Sequence, residues 1–279
     1  MIVKTIGNAT LVVYDKRNGC VLATDPWMGE EDEAYFGSWN LSHKIPSNLK
    51  QDILSAQFIW FSHGHPDHMN PSSINRFKGK KILLPDHVGG RIRDALNERG
   101  LDVEILPDRK WFNLSDNIKI FCITTVIQDA VLLIEVNGRL FVNLNDAGTR
   151  GCTHLVRNIS KRYQHTYLLA LSGYGDADMI NCFDESGNFI EPAAANNTNV
   201  GNNLSLMAKS LGIKNVIPFS SMHVFQREDS IWASKYSTPI DAYKVGFHSD
   251  LNFIPPFAII NCESGEISHT RVVENQLKI

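Results

Sequence analysis

Apolar residues recur along this chain mostly in short runs, and several of those runs alternate with polar residues at the period of two that a β-strand requires. Residues 2–6, 10–14 and 21–24 read as three strands, with turns at Gly7-Asn8 and Asn18-Gly19. Further strands are predicted over 81–84, 103–106, 111–114, 118–124, 167–171 and 215–217, and over 257–261, where the C-terminal part is expected to close the second sheet. Residues 131–136, Asn137-Gly138 and residues 139–143 form the clearest hairpin signal, because Asn-Gly readily takes the positive φ angles of a tight primed turn. Helical spacing is rarer. Ile74 and Phe77 suit a short helix, and Val88, Ile92 and Leu96 predict one capped by Asp86 and stopped by Gly100. Leu204, Met207, Ala208 and Leu211 predict another, ending at Gly212, and residues 241–246 read as helical. Strands alternating with helices point to a layered α/β fold.

Length and composition narrow the picture only a little. A chain of 279 residues with 43% hydrophobic and 20% charged residues has ordinary globular character and enough apolar material for one large domain, expected to span 1–279. The net charge of -3 and the lack of a dense Lys/Arg block give no reason to expect nucleic-acid binding. No run approaches the roughly 18 apolar residues of a membrane helix. The start reads as an alternating strand and not as a signal segment, so a soluble, cytoplasmic protein is expected. Five separated cysteines with no Cys-x-x-Cys pair read as reduced packing residues.

The chemistry concentrates between positions 63 and 68, where His63, His65, Asp67 and His68 stand within six residues. An apolar run at 57–61 precedes them, and Asn70-Pro71 follows as a helix-start signal, which places them on a strand-to-helix loop. Imidazole nitrogen and carboxylate oxygen together suit zinc, iron or manganese, and a short loop fixes several of these donors at once. Asp25, at the end of a strand before Pro26, is by itself a turn former or a site acid. Asp146 follows the outgoing strand of the hairpin, either as a turn cap or as a ligand. His223, after the strand at 215–217, is either structural or a ligand. The stretch 29–47, acidic and then aromatic at Tyr35, Phe36 and Trp39, reads as a loop over the site. His87 reads as a solvated surface histidine, and Cys152 with His154 as incidental. Residues 172–176 read as a glycine-rich loop and 185–203 as a polar insertion.

The run His63-x-His65-x-Asp67-His68 resembles the His-x-His-x-Asp-His motif of the metallo-β-lactamase superfamily. That resemblance implies a four-layer αββα sandwich of two mixed β-sheets flanked by helices. It also implies one or two divalent ions, zinc first, with iron or manganese as alternatives. His63 and His65 would serve one ion and Asp67 and His68 the other, Asp146 would bridge them, and His223 would be the last ligand. Asp25 would orient the loop from behind. Within the superfamily, the order Asp25-Pro26-Trp27, ligand loop, hairpin to Asp146, and Pro218-Phe219 is similar to the metallo-β-lactamase-like part of CMP-N-acetylneuraminate hydroxylases. The ascorbate-6-phosphate lactonase branch is a more distant likeness.

Two departures qualify it. No cysteine has a histidine three places later, so the Rieske iron–sulfur ligand set of that hydroxylase is missing. The superfamily's middle histidine is also absent, since residues 118–143 contain none, and Thr125 or Gln128 stands near its place. The leading expectation is a hydrolase in which a metal-bound hydroxide attacks an ester, lactone or phosphoester of a small sugar- or nucleotide-like substrate, with Asp67 positioning or deprotonating the water. The alternatives are an iron-dependent hydroxylase of an amino-sugar conjugate served by a separate redox partner, and a binding protein that has lost its chemistry.

Overall fold

Strands that are apolar on both faces need cover on both sides, and that requirement organises the molecule. The computed structural model describes residues 1–17, 19–29, 31–171, 183–191 and 199–275. In chain order run β1 (Ile2–Gly7), β2 (Thr10–Asp15), β3 (Gly19–Thr24), β4 (Trp39–Leu41), β5 (His43–Lys44), α1 (Ser47–Ser55), β6 (Phe58–Trp60), β7 (Lys81–Leu84), α2 (Arg91–Glu98) and β8 (Asp102–Ile105). There follow β9 (Trp111–Asn113), β10 (Ile118–Thr124), β11 (Ala130–Val136), β12 (Arg139–Asn145), α3 (Thr153–Ser160), β13 (His165–Leu171), α4 (Val200–Leu211) and β14 (Asn215–Phe219). The chain continues through β15 (His223–Phe225), β16 (Asn252–Phe253), β17 (Ala258–Asn261), β18 (Ile267–His269) and β19 (Val273–Glu274).

Two mixed sheets result, one ordered β18-β17-β1-β2-β3-β6-β7-β8 and the other β16-β14-β13-β12-β11-β10-β9. Between them Leu11, Val13, Leu22 and Trp60 of the first sheet meet Ile120, Leu132, Ile134, Phe141 and Leu169 of the second. The outer face of the first sheet, with Val12, Ala23, Ile59 and Ile82, is covered by Leu49 and Ile53 of α1 and Leu96 of α2. On the other side Leu133, Val142, Leu168 and Val216 pack under Val156 and Ile159 of α3 and Leu204, Ala208 and Leu211 of α4. This is the expected four-layer αββα sandwich of two mixed sheets.

Parallel pairing joins β3, β6, β7 and β8 in one sheet and β12, β13 and β14 in the other. The loops leaving the carboxyl ends of β3, β6, β12 and β14 carry Asp25, the 63–68 cluster, Asp146 and His223, and such ends are where open α/β sheets collect their sites. The hairpin turns as its sequence dictates, with Asn137 and Gly138 at φ 50° and 74°. No described helix is long and apolar enough to cross a membrane.

Three expectations are corrected. The helix expected from Asp86 begins only at Arg91, because Gly89 and Gly90 take φ of 87° and 63° and break the backbone there. Residues 85–90 are therefore loop, and Val88 is 86% exposed where the helical pattern placed it on the buried face. The last long strand, β17, pairs with β1 and so joins the first sheet, leaving only the two-residue β16 to extend the second. In the segment 241–246 the helix is a single 3-10 turn, Ile240–Ala242. The glycine-rich loop at 172–176 and part of the polar insertion at 185–203 lie outside the described residues.

His43 on β5 is the most confined histidine remote from the ligand cluster. Its ring lies where a Cβ on Gly7 (φ 131°) would come within 2.0 Å of Nε2, and it packs edge-on against Phe257 at 4.7 Å. Burial holds this imidazole neutral, pushing it down from 6.5 to about 4. A folded-state pKa below the unfolded one gives stability that is complete above pH 6.5 and is lost as the pH falls toward 4. At about 1.36 kcal/mol per pH unit, this single group removes about 3 kcal/mol over that window. Urea unfolding of the wild type and of His43→Leu from pH 7 down to pH 4 checks this: their stability difference should shift by about that amount, and a constant difference would show that His43 does not titrate this way.

Candidate metal centre

The cluster is assembled from behind. Asp25, fully buried at φ 38°, accepts the Ser62 amide on Oδ1 at 2.7 Å and places Oδ2 3.3 Å from His68 Nδ1. Its own amide donates to the Trp60 carbonyl at 2.8 Å, which ties the end of β3 to the end of β6. The Ser62 hydroxyl lies 2.9 Å from His63 Nδ1 and 3.3 Å from His68 Nδ1. Both rings are thereby held through Nδ1, and both turn Nε2 toward the interior of the site. There, neither Nε2 satisfies a hydrogen bond.

Asp146 enters from the opposite sheet. Asn145 adopts φ 36°, donates its side-chain amide to the Ala130 carbonyl at 2.8 Å and accepts the Asp146 amide on Oδ1, which fixes the tip of β12. Asp146 Oδ2 then stands 3.2 Å from His68 Nε2, and Asp67 Oδ2 stands 3.6 Å from the same nitrogen. One donor atom from each of His63, His68 and Asp146 falls within a sphere of mutual distances below 4.8 Å. Asp67 is held on both oxygens, Oδ1 accepting from the Tyr35 hydroxyl at 3.0 Å and Oδ2 from Asn8 at 3.4 Å.

His223 opens β15 and stacks on Trp39 with centroids 3.6 Å apart and planes 5° from parallel. It is 4% exposed and neither ring nitrogen has a partner. Burial pushes its imidazole down to about 4 even though Asp67 and Asp146 pull the other way. His65 faces outward beside His63, with ring centroids 4.4 Å apart, and burial together with the neighbouring His63 lowers its pKa. The structure thus brings His63, His68 and Asp146 together most tightly, with Asp67 on the same nitrogen as Asp146 and Asp25 behind the ring. His65 and His223 lie at the margins.

Three contributors escaped the sequence pattern. Asp129, 4% exposed, places Oδ1 3.3 Å from His63 Nδ1, and the same oxygen accepts the Ala130 amide at 2.6 Å. It stands next to Thr125 and Gln128, in the region where the middle histidine is missing. The histidine pattern does not mark this carboxylate, whose signal in the sequence is an acid directly before an apolar strand. Asn8 donates to the Asp67 carbonyl at 2.9 Å and accepts the Met222 amide at 3.0 Å, so a residue read only as a turn former joins the ligand loop to the His223 loop. His87, expected in solvent, is half-buried, and its Nε2 lies 3.1 Å from the Asp129 carbonyl.

Electrostatics decide what this arrangement can hold. Asp25, Asp67, Asp129 and Asp146 all lie within 3.6 Å of an imidazole nitrogen and, among the described residues, none has a Lys or Arg within ion-pair distance. Burial alone would disfavour charge on His68, yet Asp146, Asp67 and Asp25 together raise its pKa well above the ordinary value. Burial likewise raises Asp146, and the His68 and His63 charges outweigh it and hold the carboxyl far below its usual range. Buried carboxylates in such excess over cationic partners call for a positive ion, and the unsatisfied Nε2 atoms of His63 and His68 with Asp146 Oδ1 form a suitable nitrogen–oxygen donor set.

Comparison with known proteins bears on the fold. No family model matches the chain. A possible metal-dependent hydrolase from Veillonella parvula superposes with a TM-score of 0.60 over 97% of this chain and 99% of that one, at 15% identity. The metallo-β-lactamase fold protein YhfI of Bacillus subtilis superposes at 0.54 over 93% and 99%, at 12% identity. The chain has the metallo-β-lactamase fold. With the same fold in part of its length, the diiron β-hydroxylase CmlA of Streptomyces venezuelae gives 0.55 at 11% identity, covering 98% of this chain and 54% of its own. In sequence, the human inactive cytidine monophosphate-N-acetylneuraminic acid hydroxylase is 25% identical over 145 residues, which is 49% of this chain and 28% of that protein. The zebrafish hydroxylase is 24% identical over 131 residues. The chain therefore matches about a quarter of the length of these curated relatives.

Three substitutions test the site. His63→Ala should abolish metal uptake, His65→Ala should lower it less, and Asp129→Asn should weaken metal affinity by about 10–100-fold through loss of the carboxylate that orients His63. Metal content of protein purified without added ions is the readout; wild-type stoichiometry in His63→Ala would remove the motif from the site.

Proposed function

We propose that the chain is a metal-dependent hydrolase acting on an ester, lactone or phosphoester of a small sugar- or nucleotide-like molecule. The observation that carries this reading is the excess of buried carboxylate over Lys or Arg around two imidazoles whose Nε2 atoms are unsatisfied. His63, His65, Asp67, His68, Asp146 and His223 would hold one or two divalent ions. Such an ion polarises a substrate oxygen and brings the pKa of water near 7.

The protein's own groups supply the rest. Asp25 and Ser62 set the His68 and His63 rings from behind, and Asp129 adds a second hold on His63. Asp67, whose oxygens each accept one hydrogen bond, from Tyr35 and Asn8, would position the water or take its proton. Trp39 stacked on His223 and the loop bearing Tyr35 close the other flank and exclude bulk water. A single domain over 1–279 in the cytoplasm is part of the same proposal, and the four described cysteines, free and buried, fit a reducing compartment.

A second reading has one specific observation in its favour. The donors that converge are two histidines and one carboxylate, His63, His68 and Asp146, and such a set suits iron as well as zinc. The partial matches to hydroxylases point the same way. On that reading the chain is an iron-dependent hydroxylase component with a separate electron donor. Metal analysis with an activity screen separates the two. About two zinc or manganese ions per chain with turnover of chromogenic esters or phosphodiesters support the hydrolase, and oxygen-sensitive iron with visible absorbance and no hydrolysis supports the hydroxylase. Protein that is metal-free with its histidines intact would contradict both.

A further inference from the structure

A cavity of about 1110 Å³ opens beside the metal centre and is larger than two ions and a water require. His63, His65, Asp129 and Asp146 form one end of it. From that end it follows the carboxyl ends of three neighbouring parallel strands, β6, β7 and β8, through Phe61, Leu84 and Ile105. Two strand spacings carry this apolar row about 10 Å away from the metal loop. Ile92 of α2 also lines the cavity and reaches the metal loop, since a Cβ on Gly64 would meet Ile92 Cδ1 at 3.1 Å.

The rim is apolar as well. Val88 and Ile127, 86% and 57% exposed, line the cavity from two separate loops, and Val126 beside Ile127 is more exposed still. Exposed apolar side chains scattered singly are ordinary, whereas three gathered at one opening mark a surface that meets an apolar partner. Both loops are held in place. The Asp129 carbonyl accepts from the Thr125 amide and hydroxyl, each at 2.9 Å, and from His87 Nε2–H at 3.1 Å. The carboxylate of the same residue lies 3.3 Å from His63 Nδ1, so the rim is fixed relative to the metal centre. Away from the metal end, the charged side chains of the lining are Asp86, Arg91 and Arg93, all from one segment, and Arg93 is paired with Asp94 at 2.8 Å. The strand ends and the turn at 125–128 contribute none.

We infer that the substrate of this site carries a hydrocarbon group next to its scissile bond, and that Leu84, Ile92, Ile105 and Ile127, with Val88 at the rim, form the subsite for that group. Hydrocarbon side chains on floor and rim favour a hydrocarbon occupant, because both sides leave water when they meet. The occupant is substrate, and not a separate partner, because the apolar row begins at the metal donors and runs on without interruption inside one cavity. The substrate class follows: an ester, lactone or phosphoester with an apolar substituent on the side that faces β7 and β8. This deepens the hydrolase reading and rests on it for the identity of the reacting bond, but not for the apolar subsite.

Calorimetric titration of the full-length protein with 1-butanol, 1-hexanol and 1-octanol tests it, since no hydrolase cleaves these probes; metal content and sedimentation are measured on the same samples. Affinity should rise by up to about fourfold for each added methylene, and Ile127→Asp and Val88→Asp should each weaken octanol binding about tenfold with metal content unchanged. Leu206→Asp, at an exposed position on α4 outside this cavity, should bind as the wild type does. Octanohydroxamic acid adds a metal-binding head to the same chain and should bind more tightly than octanol to metal-loaded protein. Chain-length dependence that Ile127→Asp removes, in a protein that carries no metal, would uphold the subsite while refuting the hydrolase reading. The inference is overturned if octanol does not bind, if affinity does not follow chain length, or if Ile127→Asp and Val88→Asp bind octanol as the wild type does. It is also overturned if the hydroxamate head adds nothing in metal-loaded protein, or if the wild type is a dimer that these substitutions dissociate.

Discussion

Buried negative charge without enough buried positive charge is the constraint on which the site depends. Asp67 and Asp146 converge on Nε2 of His68 at 3.6 and 3.2 Å, while Asp25 takes its other nitrogen at 3.3 Å. One imidazole, even protonated, cannot balance three carboxylates away from water, because isolated buried charge costs several kcal/mol per group. A fold that keeps this arrangement must gain something from it, and a bound cation gives the carboxylates a common partner. The framework around the cluster is consistent with that purpose: Ser62, Asn8, Asn145 and Asp129 spend their hydrogen bonds on fixing the donor groups from behind.

The two sheets divide the labour. The first supplies the loop with His63 to His68 and the acid Asp25 from adjacent parallel strands, and the second supplies Asp146, Asp129 and the approach to His223. Neither sheet alone brings enough donors together, so the site exists only where the inner faces of the sandwich meet at one end. Asn8 spans that junction, with Asp67 on one side and the Met222 amide on the other. Strain accompanies the precision: Asp25, Asn145, Ser220 and Ser221 all adopt positive φ without being glycine, and each borders the cluster.

Much of this was readable before any coordinates. The alternation in residues 2–24, the Asn137-Gly138 turn and the helix ending at Gly212 are local signals, and the structure reproduces them because local propensity and burial agree there. The fold followed from the His63-to-His68 spacing, which carries a whole superfamily's architecture with it. What could not be read was non-local. Nothing in the chain announces that Asp129 would meet His63, that Trp39 would stack on His223, or that β17 would return to β1, because each depends on the packing of segments far apart in sequence. The helix expected from Asp86 was misplaced for a local reason: the four-residue apolar spacing outweighed Gly89-Gly90, and the glycines prevailed.

The central claim is that the carboxylates and imidazoles of the cluster share a metal ion and not merely one another's protons. Diffraction from crystals of the native protein, recorded above and below the absorption edge of the metal found in solution, tests this most directly. The account predicts an anomalous peak enclosed by His63 Nε2, His68 Nε2 and the Asp146 carboxylate, at about 2.0–2.2 Å from those atoms. A map featureless at that position, with His68 Nε2 and Asp146 Oδ2 still in direct contact as an ion pair, would contradict it.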